Sequence, residues 1–159
     1  MAIKDKILSY PVAFLLDKLN RQDKKCFSID EAYLLLPNSA KDNVKRMLSK
    51  MTKRGLLMRV KDGLYYVIPF QQDPETFMPD WHLLSQYLVS DAEYYIGYFS
   101  ALQIHSLTTQ PNIKEQIVVN KQIKPSTLIV KEIPFQFIYH NEKHFFFCSF
   151  ILSKRIATG

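Results

Sequence analysis

The stretch KRGLLMRVKDGLYYVIP, residues 53–69, sets two runs of strand length, 56–60 and 64–68, on either side of Lys61-Asp62-Gly63. Toward the turn both runs are rich in the aromatic and β-branched residues that suit a pleated surface, and Gly63 can take the positive φ of a tight loop. The pattern predicts a β-hairpin. A two-stranded hairpin is marginal alone, so it has to pack on whatever precedes it, through alternate side chains of each strand.

What precedes it reads as helices. Val44, Met47, Leu48 and Met51 recur at the spacing of one buried helical face, and Gly55 supplies a left-handed stop. Ser39 is placed to cap that helix, with Lys41 following it and Asp42 in the first turn. Upstream, Ser28-Ile-Asp-Glu31 has the form of a capping box opening a second helix that should end at Pro37. Pro11, at home in a first helical turn, is followed by Val12, Leu15, Leu16 and Leu19 at i, i+3, i+4, i+7 spacing. The first half is therefore predicted as three helices and a hairpin, which is a winged helix-turn-helix.

Rotating the third helix by about 100° per residue from its apolar stripe puts Asp42, Arg46, Ser49, Lys50 and Lys53 on the far side, with Asn43 and Lys45 flanking them. Asn suits adenine, Arg suits guanine, and Lys suits guanine or phosphate. In a winged helix Arg59 and Lys61 would lie by the phosphates beside the groove that this helix enters. The expected contact set for double-stranded DNA is Ser39, Lys41, Asn43, Lys45, Arg46, Ser49, Lys50, Arg59 and Lys61.

Charge points the same way. The chain carries a formal +6. Residues 1–70 hold 14 Lys and Arg against 7 Asp and Glu, whereas residues 71–159 hold 7 against 8. The whole positive excess lies in the half that carries the helices and hairpin, the electrostatic footprint of a polyanion ligand. With 47% hydrophobic residues in 159, the chain can bury a core. No apolar run approaches the ~20 residues of a membrane span, and the N-terminus, with Asp5 and Asp17, does not read as a signal peptide. A cytoplasmic protein is expected. Cys26 and Cys148, without a CxxC, are expected as reduced thiols.

Three prolines within residues 69–79 mark a connector, partly packed by Phe70 and Phe77. The predicted organisation is a winged helix at 1–69, a connector at 70–80 and a small α+β domain at 81–159. In the latter, residues 81–89 form a short helical pattern, and Ser90-Asp91-Ala92-Glu93 reads as a turn. Residues 94–107 read as a helix entered through Gly97 with Ala101, Leu102 and His105 on one side. Residues 116–120, 127–130 and 135–139 read as strands.

The run Arg54-Gly55-Leu56-Leu57-x-Arg59-Val60-x-x-Gly63-Leu64-Tyr65, and after the connector Tyr94-Tyr95-Ile96-Gly97-Tyr98-x-Ser100-Ala101-Leu102-x-x-His105-x-Leu107, resembles the AbiEi antitoxin family and the winged-helix transcriptional regulators grouped with it. The likeness covers about residues 10–145. It implies an antitoxin of a bacterial abortive-infection system, repressing its own operon and opposing a nucleotidyltransferase-like toxin without a stable complex. Repressors of this kind often bind inverted repeats as dimers, so a homodimer is among the expected partners. Family members usually run on beyond residues 144–147, whereas this chain stops at Gly159, so truncation of the C-terminal domain is a further expectation.

Enzymatic readings find little support in the residues. No phosphate-cradling glycine loop, GxSxG or HExxH occurs. His140 and His144 have no third ligand nearby and read as a surface loop, so no metal is expected; no cofactor motif is present either. His105 reads as a hydrogen-bonded, partly buried imidazole. Glu115 and Glu132 flank strands without opening an acidic-x-Lys motif. Tyr94, Tyr95 and Tyr98 read as core aromatics rather than as a stacking platform. The competing reading of the chain is a winged-helix protein-interaction adaptor with incidental charge.

Overall fold

A computed structural model of the chain describes residues 8–89 and 91–145. Among the described residues six helices and two small sheets make a mixed α+β architecture, in two compact units divided between Pro79 and Asp80. No helix among the described residues is long and apolar enough to cross a membrane. Cys148 and the C-terminal segment from residue 146 onward lie outside the described residues, as do Ser90 and Asp5.

In the N-terminal unit, α1 (Tyr10–Arg21) starts on Pro11 and buries Val12, Leu15 and Leu19. β1 (Cys26–Ser28) leads directly into α2 (Ile29–Leu35), and the capping box is complete. The Glu31 amide donates to the Ser28 hydroxyl at 3.2 Å, and the Ser28 amide donates to the Glu31 carboxylate at 2.8 Å. Partial burial pushes the Glu31 carboxyl up, but the Lys24 ammonium and the Ser28 amide together outweigh that and hold it below its usual value. α3 (Lys41–Lys53) buries Val44, Leu48 and Met51 against these helices.

The hairpin is present as β2 (Leu57–Lys61) and β3 (Leu64–Val67), with Gly63 at φ +72°. The sequence reading missed β1, which pairs antiparallel with β3, Cys26 opposite Tyr66, to give a three-stranded sheet in the order β1-β3-β2. Both faces of the sheet are covered. Tyr65 and Val67 pack on the helical core, where Phe27 stacks on Tyr65 at 5.8 Å. Tyr66 faces the other way and meets Phe77 of the connector, centroid to centroid at 5.6 Å. Phe77 is buried, whereas Phe70, expected to pack beside it, is 48% exposed. The thiol of Cys26 is fully buried, and that burial pushes it up to about 12, so it stays protonated at neutral pH.

The C-terminal unit contains α4 (Trp81–Leu88), β4 (Tyr94–Ile96), α5 (Tyr98–Ile104), β5 (Glu115–Val119), β6 (Thr127–Val130), β7 (Ile133–Tyr139) and α6 (Glu142–Phe145). Its sheet runs β4-β5-β7-β6, with β5 and β7 parallel at the centre and antiparallel neighbours outside. Ile117, Phe135 and Leu84 are fully buried in its core. Two expectations fail here. Residues 94–107 are not one helix, because Tyr94–Ile96 pair with Ile117–Val119 as an edge strand before Gly97 opens α5. His105 caps the end of α5 and is exposed rather than partly buried.

Candidate nucleic-acid interface

The solvent side of α3 follows from its periodicity: with Val44, Leu48 and Met51 turned inward, the exposed Asp42 and Lys53 fall at the middle of the outer face and the other polar residues on two shoulders beside them. Along one shoulder Asn43, Arg46 and Lys50 recur every three or four residues and line an open groove of about 470 Å³. Its other wall is the start of α1, Ser9 and Pro11, and Ser39 closes one end. Arg54, four residues beyond Lys50, extends the series to the end of the helix. Arg46, Lys50 and Arg54 thus stand about 6 Å apart along the axis. The opposite shoulder carries Lys41, Lys45 and Ser49, all exposed.

The cations are not equivalent. Among the described residues no carboxylate pairs with Lys45, Arg46 or Lys50. Lys41 lies over the ring of Tyr33 on α2, its Nζ 5.4 Å from the centroid. Arg59 forms an ion pair with Asp62 in the hairpin turn, which offsets its charge where a phosphate contact was expected. Lys61 is half-buried, past a register shift that follows Arg59.

Ser39, Asn43, Arg46 and Lys50 of the expected contact set therefore share one groove, and Lys41, Lys45, Ser49, Arg59 and Lys61 stand outside it. Ser39 does not cap α3. Its amide closes a turn on the Leu36 carbonyl at 3.1 Å, which leaves Ala40 in the extended cap position, accepting from Asn43 and Val44. Sequence reasoning missed Ser9, Pro11 and Arg54; for Arg54 the i+4 spacing from Lys50 was the available signal.

In the C-terminal unit Glu115 is fully buried at the start of β5, and its Oε1 lies 3.0 Å from His82 Nδ1. Its Oε2 has no hydrogen-bond partner among the described residues. The bond to Glu115 raises His82 above its ordinary value of 6.5, against partial burial, with Asp80 adding to the rise. A histidine raised in this way stabilises the fold in full below about pH 6.5 and ceases to do so as pH climbs through its folded value. The melting temperature of the chain is expected to fall over that interval, and His82→Asn to remove that component. An unchanged pH profile in the variant would show that the pair contributes nothing.

The remaining histidines and tyrosines are placed as follows. His140 Nε2 lies 2.8 Å from the Tyr98 hydroxyl, and His144 Nδ1 lies 2.7 Å from Asn141 Oδ1, so neither is aimed at the other. No group of three or more potential metal ligands occurs among the described residues. Tyr95 packs on Phe145 at 5.3 Å, but Tyr98, expected in the core, is 51% exposed because α5 presents it outward. The chain matches no protein-family model, and no curated protein matches it.

Proposed function

We propose that the N-terminal unit is a winged helix-turn-helix that binds double-stranded DNA, with α3 as the helix entering the major groove and the β2–β3 turn as the wing. The observation that supports this best is the α3 shoulder where Asn43, Arg46 and Lys50 line one open groove, with no acidic side chain among the described residues paired to the two cations. Residue types that bond base edges and types that neutralise phosphates are mixed along it. The charge division supports the same reading, since the excess of +7 within residues 1–70 is larger than the +6 of the whole chain.

On the resemblance to AbiEi antitoxins, the chain is a cytoplasmic transcriptional repressor of its own operon. It counteracts a nucleotidyltransferase-like toxin encoded beside it, without forming a stable complex with it, and the C-terminal α+β unit carries that second activity.

The test is the salt dependence of binding. With Lys45, Lys50 and Lys61 each neutralising one phosphate, log affinity should fall with log salt with a slope of about −2.7, three contacts at about 0.9 each. Fluorescence anisotropy of the full chain reads this on a mixed-sequence duplex and on the DNA just upstream of its own gene. Tighter binding to the upstream DNA with that slope supports the repressor. Absence of binding, or binding without a salt slope, would assign the unit to protein docking instead.

A further inference from the structure

Between Leu57 and Val67 the wing carries three formal charges, on Arg59, Lys61 and Asp62. Lys61 is half-buried, which leaves Arg59 as the exposed cation of the hairpin. Its guanidinium is paired with the Asp62 carboxylate at the turn, and the two side chains are 57% and 93% exposed. An ion pair so open to water contributes little to stability. Its place is nevertheless set by the fold. Lys61 stands opposite Leu64, so Asp62 and Gly63 make the turn, and the Gly63 carbonyl accepts from the Ile29 amide at 2.7 Å. The tip of the hairpin is thereby anchored on the first residue of α2, and a two-residue loop keeps the carboxylate beside the arginine.

A phosphate that approaches the wing meets a guanidinium already engaged. Either it takes Arg59 from Asp62 and leaves a carboxylate beside the DNA, or the pair survives with its positive charge offset. Both outcomes forfeit attraction that an unpaired arginine supplies. Phosphate contacts position a protein on DNA without reading sequence, so what is forfeited is grip on any duplex, not preference among duplexes. We propose that Asp62 limits the sequence-independent DNA affinity of the chain by withholding Arg59 from the phosphates. On α3, by contrast, Arg46 and Lys50 have no carboxylate partner among the described residues. A neutralised arginine in the wing thus shifts binding toward the helix that carries base-reading residue types. The inference rests on the DNA-binding reading and adds to it a residue that restrains the contact.

Asp62→Asn in the full chain tests it. Asparagine before glycine suits a tight hairpin turn as well as aspartate does, so the wing should keep its shape. In fluorescence anisotropy the variant should bind the mixed-sequence duplex and the upstream DNA more tightly, each on the order of tenfold at about 50 mM salt. The salt slope should steepen by about 0.9, the counterions of one added contact. Asp17→Asn is the matched control, because it also removes one carboxylate and frees one arginine, Arg21, but from an exposed pair within α1. Its slope should stay that of the wild type. In an Arg59→Ala background, Asp62→Asn should change neither affinity nor slope. Circular dichroism checks that each variant folds, and Asp62→Ser gives a second readout should the asparagine variant fail to. Wild-type binding by Asp62→Asn, a gain that Asp17→Asn reproduces, or a gain that survives without Arg59 would each overturn the proposal. If neither the wild type nor any variant binds DNA, the DNA-binding reading fails and takes this inference with it; if the wild type binds with its salt slope and Asp62→Asn leaves that slope unmoved, this inference alone fails.

Discussion

Replacing Arg46 by alanine is expected to weaken binding to the upstream duplex by about 1–3 kcal/mol, roughly five- to 150-fold, and to relax sequence preference at one base pair. Arg46 is exposed, lines the groove between α3 and the start of α1, and has no carboxylate partner among the described residues. Its planar fork is therefore free for a bidentate contact with a guanine edge, and removing it should leave the fold intact. Anisotropy titrations against the upstream DNA and a mixed-sequence duplex separate the possible outcomes. A loss confined to the upstream DNA fits base readout. An equal loss on both, with the salt slope shallower by about one contact, would move Arg46 to the phosphate backbone. No loss on either would remove α3 as the recognition element.

The second large effect is on stability, at Gly55. This residue ends α3 at φ +72°, and a Cβ built there would lie 2.3 Å from Pro74 Cγ and 2.8 Å from Pro74 Cβ. Gly55→Ala thus combines a left-handed backbone, at about 1–2 kcal/mol, with overpacking against a ring that has little freedom to yield, at about 1–3 kcal/mol. A total loss of about 2–5 kcal/mol in chemical denaturation is expected. Gly63→Ala is the internal comparison. Its φ is also +72°, but its nearest neighbour would be Ile29 Cγ2 at 3.4 Å, so it should lose only the backbone part. Equal losses for the two variants would mean that the Pro74 contact is not felt.

The N-terminal unit was largely readable in the sequence because its signals are local. The capping box at Ser28 and Glu31, Pro11 in the first turn of α1, and the glycines at 55 and 63 each act within a few residues. Strand β1 was not readable. Three residues carry no periodicity, and Cys26–Ser28 become a strand only through pairing with β3, some forty positions away. β7 extends back through Pro134 to Ile133, so Pro134 does not end the strand as its ring would suggest. Here Pro134 stands opposite Ile129 on the edge strand β6.

For α5 the periodicity itself misled. Ala101, Leu102 and His105 share a side, as expected, but the polar network of Ser100 with Asn112 and Gln116 claims the interior and leaves that side in water. At the candidate interface the residue types and their helical spacing were legible, whereas which cations stay free was not. The pairing of Arg59 with Asp62 and the seat of Lys41 over Tyr33 depend on rotamers and on a turn, neither of which spacing reveals.

The connector has a practical bearing on how the chain can be divided. Because Phe77 caps Tyr66 and Pro74 abuts Gly55, residues 70–79 serve as the lid of the first sheet rather than as a tether between folded parts. A fragment meant to carry the three helices and hairpin alone has to be cut after Pro79. Cutting at Pro69 would strip an aromatic cover from the outer strand face and hand that face to the solvent, or to aggregation.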